Sequence, residues 1–129
     1  MLVRVPNPLR GQTNEMAPWK RRFHAPALLW TDVAKAAPAR GLAVTNQSGT
    51  FQLYAWDVPA GKLEQLTDLP AGVMSGVISP DGCYVYYLDD RGGNETGHLA
   101  RVPFEGGEPE DVTPLLLPCS SNYWGLNLQ

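Results

Sequence analysis

The string FQLYAWDVPAGKLEQLTDL, beginning at Phe51, is matched 46 residues later by GHLARVPFEGGEPEDVTPL, beginning at Gly97. Without a gap, Leu53 falls on Leu99, Trp56 on Val102, Val58 on Phe104, Gly61 on Gly107, Glu64 on Glu110, Leu66 on Val112, Thr67 on Thr113 and Leu69 on Leu115. Carried backwards at the same offset, Leu42 falls on Leu88. Turn glycines and apolar positions keep step together, so the match is structural. A repeat constrains a chain strongly: each unit is one supersecondary piece that needs its neighbour to bury its apolar residues.

Each unit parses into short strands separated by turn signals. In the first unit the strands are expected at 27–33, 41–45, 51–58 and 63–67. In the second they are expected at 73–79, 84–89, 98–104 and 110–113, with Pro114 ending the last. The turn Ser79-Pro80-Asp81-Gly82 is the sharpest signal. Proline presets φ, aspartate bonds the local backbone, and glycine supplies the positive φ that closes a hairpin. The best local helix candidate, TDVAKAAPAR, is interrupted by Pro38.

The strand YVYYLD after that turn does not alternate polar and apolar residues, so both of its faces are expected to be packed. Likewise Phe51, Leu53 and Ala55 would face one neighbour, and Tyr54, Trp56 and Val58 the other. Trp30 and Tyr86 read as core between units. Four antiparallel strands in about 45 residues is the size of one β-propeller blade. The expected fold is all-β and open. Residues 1–22 lead, 23–69 form a first blade, 70–115 a second, and 116–129 the opening strand of a third. Gly125-Leu126-Asn127-Leu128 is placed like Gly76-Val77-Ile78-Ser79, beside Tyr123 and Trp124.

Propellers close with four to eight blades, so even six such units need about 280 residues. The 129 residues given are expected to be marginal alone. They are expected to belong to a longer protein or to associate through open blade edges and faces.

A net charge of −3 leaves no basic footprint for nucleic acid. The cluster Lys20-Arg21-Arg22 reads as a solvated segment. No run of 18 apolar residues and no signal-peptide pattern is present, which points to no membrane span and to the cytoplasm. Cys83 and Cys119 fit neither a redox nor a zinc spacing, and a disulfide between them is not expected. Cys83, following the turn glycine, is expected to be exposed. Asn46 and Asn94 head formal glycosylation acceptors that carry no weight without a secretory signal.

The blades from Arg22 onward resemble the N-terminal propeller of the prolyl oligopeptidase and acylaminoacyl-peptidase class of serine peptidases. QLYAWD, QLTD, SPDG and VPFEGGEPEDVTP carry the resemblance. Tol-system propellers share the SPDG and LT elements. The resemblance implies a propeller that sits over a hydrolase domain and admits only oligopeptides, with the catalytic triad in that other domain.

No catalytic residue is carried over. The closest string to a nucleophile elbow, Gly72-Val73-Met74-Ser75-Gly76, has the wrong spacing, and Ser75 reads as strand. His24 and His98 belong to no triad motif and read as loop or strand-surface residues. The run from Asp89 to Glu95 offers oxygen side chains near glycines, but not in EF-hand order, and reads as a polar loop. No cofactor or metal site is expected. The chain reads as a non-catalytic propeller part or a self-associating protein-interaction module, and an independent small hydrolase has no motif to support it.

Overall fold

A computed structural model of the chain describes residues 25–90, 93 and 96–118. Their order is β1 (Leu28–Ala34), β2 (Ala37–Thr45), β3 (Gln52–Asp57), β4 (Lys62–Gln65), β5 (Val77–Ile78), β6 (Tyr84–Asp89), β7 (His98–Pro103) and β8 (Glu110–Asp111). They form two four-stranded antiparallel sheets, β1-β2-β3-β4 and β5-β6-β7-β8, each strand paired with its neighbour in sequence. The fold is all-β and the sheets are not closed into a barrel.

The same brace recurs in both units. The hydroxyl oxygen of Thr67 accepts the Leu53 N–H at 2.9 Å, and that of Thr113 accepts the Leu99 N–H at 3.0 Å. Leu66 N–H donates to the Leu53 carbonyl and Val112 N–H to the Leu99 carbonyl, both at 2.8 Å. Each threonine thus continues a ladder where the outer strand has ended. Turn chemistry recurs too: Gly61 and Gly107 both hold positive φ, at 66° and 133°.

The gapless repeat fails at the second strand. Leu42 pairs with Ala55, whose counterpart Arg101 pairs with Tyr86, so Leu42 corresponds to Tyr86 rather than Leu88. The loop between β6 and β7 is two residues longer than that between β2 and β3. Strand side chains alternate with period two, so this slip keeps every residue on its face and leaves no trace in the hydrophobic pattern.

The first strand of the second unit is also shorter than expected. Only Val77 and Ile78 join the ladder to β6. Residues 73–76 turn to the first sheet instead: Val73 N–H donates to the Phe51 carbonyl at 2.7 Å, and Trp30 Nε1 to the Met74 carbonyl at 3.0 Å. Ser75 therefore lies exposed in a connection, not in a strand. The last strand stops at Asp111 because Thr113 supplies its hydroxyl to the ladder from there. Pro38 sits within β2, where the register with β1 shifts between Val33 and Ala34. Such an irregularity is where a strand tolerates a residue without N–H.

The core lies between the sheets. Leu42, Val44, Leu53 and Ala55 of the first sheet join Ile78, Val85, Tyr87, Ala100 and Val102 of the second in one buried cluster. Fully burying a large apolar side chain contributes about 1.5–3 kcal/mol relative to exposure. The far face of the first sheet is buried as well, through Ala43, Tyr54 and Gln52. The outward residues of the second sheet, Tyr84, Tyr86, Leu88, Leu99 and Arg101, are half-buried. Both faces of β3 and β6 are thus at least partly covered.

Candidate functional site

The end of the second sheet carries a cleft of about 610 Å³ lined by Asp89, Asp90, Thr96, Gly97, His98, Ala100, Pro109, Asp111 and Pro118. Register builds it. Asp89 pairs with His98 and Asp111 with Ala100, and period two puts these four residues on one face. His98 Nδ1 lies 2.8 Å from Asp111 Oδ2. The other oxygen of Asp111 accepts the Thr113 N–H at 2.8 Å.

The first unit closes the equivalent place with a buried side chain. Gln52 holds the position of His98 in the first unit and is fully buried. Its Nε2 donates to the Leu69 carbonyl at 2.8 Å, and its Oε1 accepts from the Thr67 hydroxyl at 2.8 Å and the Leu69 N–H at 3.2 Å. Those bonds clasp the segment after β4 against the sheet. In the second unit His98 turns to Asp111 instead. Leu115, the counterpart of Leu69, is 98% exposed.

The cleft can attract charge but is not arranged for nucleophilic attack. A triad needs imidazole between hydroxyl and carboxylate, so that the hydroxyl proton passes to the ring. Here the carboxylate of Asp111 lies between His98 and Thr113, and the Thr113 hydroxyl oxygen already accepts from Leu99. Three carboxylates beside one imidazole make the cleft a place for a cationic group.

Other singled-out residues lie elsewhere. The turn before β6 forms as expected, with Gly82 at φ 71° and its N–H donating to the Ser79 carbonyl at 2.9 Å. The Ser79 hydroxyl donates to Asp81 and accepts from the N–H groups of Cys83 and Tyr84. That hydroxyl, then the Cys83 N–H, holds the Asp81 carboxyl below its ordinary pKa. Cys83 is exposed and free. Burial, then the charge of Asp89, pushes the Tyr87 phenol up.

In the loop after β6, Gly93 N–H donates to Asp90 Oδ1 at 3.2 Å, and the rest of the run through Glu95 lies largely outside the described residues. His24, the Lys20–Arg22 cluster, Cys119 and the expected strand near Leu126 also lie outside them. Among the described residues, no three His, Cys, Asp or Glu side chains gather to hold a metal ion. No helix among them is long and apolar enough to cross a membrane.

Arg40 was not singled out from sequence. Its guanidinium donates to the Gly82 carbonyl at 3.1 Å, pairs with Glu105 at 2.6 Å and lies 4.7 Å from the Phe104 ring centroid. The contact between His98 and Asp111 was equally hidden, because it depends on the β7–β8 register, for which neither residue alone gives a signal.

No protein-family model matches the chain. The chain is similar to a protein TolB homolog of Chlorobium chlorochromatii (strain CaD3), 30% identical over 71 residues. The match covers 49% of this chain and 16% of that protein. The two four-stranded antiparallel sheets are consistent with open, propeller-like blades.

Proposed function

We propose that the chain is a non-catalytic β-propeller part that binds polypeptide, with the cleft at the end of the second sheet as its contact site for a basic side chain. The observation that carries this reading is the cleft itself. It opens where His98 replaces the clasping Gln52, and three carboxylates line it. The similarity to a TolB homolog supports the propeller part of the reading.

The test is a titration with short lysine- and arginine-containing peptides, followed through the His98 imidazole resonance. A saturable shift that weakens with salt is expected, because exposed charge attraction is screened. No shift, or the same shift with glutamate-containing peptides, would overturn the reading. A serine-directed fluorophosphonate should leave the chain unlabelled, and stoichiometric labelling would show a nucleophile.

Gating of a peptidase is a second proposal. It rests on the SPDG and VPFEGGEPEDVTP elements and assigns the bond-breaking chemistry to a hydrolase domain outside this sequence. Its test is whether adding the chain to such a domain narrows cleavage to short peptides; unchanged cleavage of a folded protein would argue against it.

A further inference from the structure

The two sheets repeat their strands but invert one cross-strand pair. In the first sheet Ala43 of β2 stands opposite Tyr54 of β3. In the second sheet Tyr87 of β6 stands opposite Ala100 of β7. Both tyrosines are buried, at 2% and 1% exposure. The ring has thus moved one strand inward, away from the outer strand β8. Tyr54 uses its place to reach the outer strand of its own sheet. It pairs with Gln65 of β4, and its hydroxyl donates to Gln65 Oε1 at 3.3 Å. In the second sheet the residue paired with β8 is Ala100, opposite Asp111. Its methyl group leaves the place of that ring open, and Ala100, Pro109 and Asp111 all line the cleft.

We infer that the cleft selects arginine among basic side chains, its guanidinium taking the place that the Tyr54 ring takes in the first unit. The inference rests on the reading of the cleft as a cation site. The first unit shows what this place admits: a flat group that carries a donor to the residue at the position of Asp111. A guanidinium is flat and spreads its N–H donors over a rigid fork that matches carboxylates, whereas an ammonium gathers its three donors on one strongly hydrated atom. The acceptors in the cleft are themselves spread out, over Asp89, Asp90 and Asp111. Asp111 keeps capacity for a further donor. Its Oδ2 lies 2.8 Å from His98 Nδ1, and its Oδ1 accepts from Thr113, from the N–H at 2.8 Å and the hydroxyl at 3.5 Å. A carboxylate offers about four acceptor sites. Ala100 is therefore the residue that sets the preference, by leaving room for a plane beside Asp111.

Three matched peptides with blocked ends, differing only in a central arginine, lysine or tyrosine, test the preference. Each is titrated into the full chain and followed through the His98 imidazole resonance. The arginine peptide is expected to bind at least about fivefold more tightly than the lysine peptide. Exchanging the inverted pair, Tyr87→Ala with Ala100→Tyr, gives the second sheet the arrangement of the first. It is expected to weaken arginine binding at least about tenfold, the loss of one charged hydrogen bond. Asp111→Asn decides the matter if that exchange disturbs the sheets, and is expected to bring arginine and lysine within about twofold of each other. Equal binding of arginine and lysine by the unaltered chain, or an arginine preference that survives Asp111→Asn, overturns the inference while the cation site stands. Tyrosine binding as tightly as arginine shows selection by shape without charge and also overturns it. If neither basic peptide shifts His98, the cation site itself fails.

Discussion

Arg40 and Gly82 are joined across the two sheets, the guanidinium donating to the glycine carbonyl at 3.1 Å. The glycine makes room for this. A Cβ at position 82 would come within 2.9 Å of Arg40 Cδ and 3.1 Å of its Cβ. One side chain therefore ties β2 to the turn that starts β6, while its outer nitrogen meets Glu105 and its plane lies over Phe104.

Replacing Arg40 by Met keeps the stem and removes these contacts. The expected loss is about 1–2 kcal/mol in urea unfolding, from a charged hydrogen bond and a cation–π contact. Glu105→Gln should cost under about 0.5 kcal/mol, because the pair is well exposed and screened. Equal losses would mean that the ion pair, not the carbonyl and ring, holds the sheets together.

Gly61 and Gly82 have nearly the same φ, 66° and 71°, but nothing lies within 4 Å of a Cβ at position 61. Gly61→Ala should cost about 1–2 kcal/mol from the left-handed backbone alone. Gly82→Ala should cost about 1 kcal/mol or more beyond that, since it also crowds Arg40. Indistinguishable midpoints would show that the turn gives way without disturbing the interface.

The two threonine braces differ in burial, and their loss should differ accordingly. Thr67 is 4% exposed and Thr113 half-buried. Thr67→Val strands the buried Leu53 N–H and removes one of the two bonds that Gln52 Oε1 accepts, at about 1–3 kcal/mol. At Thr113 water can replace the hydroxyl, and the loss should stay near 0.5 kcal/mol. Combining Thr67→Val with Gln52→Leu should cost less than the sum of the two, because both belong to one bonded network.

Much of this architecture is legible in the sequence, and the exceptions have physical causes. The turn at Pro80 and Gly82 announces itself, and so do the strands at β3, β6 and β7, because local chemistry fixes them. The correspondence of Leu42 with Tyr86 is invisible, because a two-residue slip preserves the face. The shortness of β5 depends on Phe51 and Trp30 capturing the backbone at Val73 and Met74. The cleft residues Asp89 and His98 are visible as residue types, but Asp111 joins them only through strand pairing.

Tyr87 predicts an alkaline limit. Burial first, then Asp89, raises its folded-state pKa above the unfolded value near 10. A raised pKa contributes stability that is fully present below pH 10 and is lost as pH rises through the folded value. Stability should therefore fall above pH 10, and Tyr87→Phe should reduce that slope. An unchanged slope in the variant would place the sensitivity elsewhere.

The central claim is that the two repeated sheets share one core and so unfold as one body. Urea unfolding can be followed by the Trp56 indole resonance in the first sheet and the His98 imidazole resonance in the second. The probes should give coincident midpoints, and Leu53→Val, costing about 1 kcal/mol, should lower both by the same amount. A His98 midpoint that stays in place while the Trp56 midpoint falls would show two independent sheets and contradict the account.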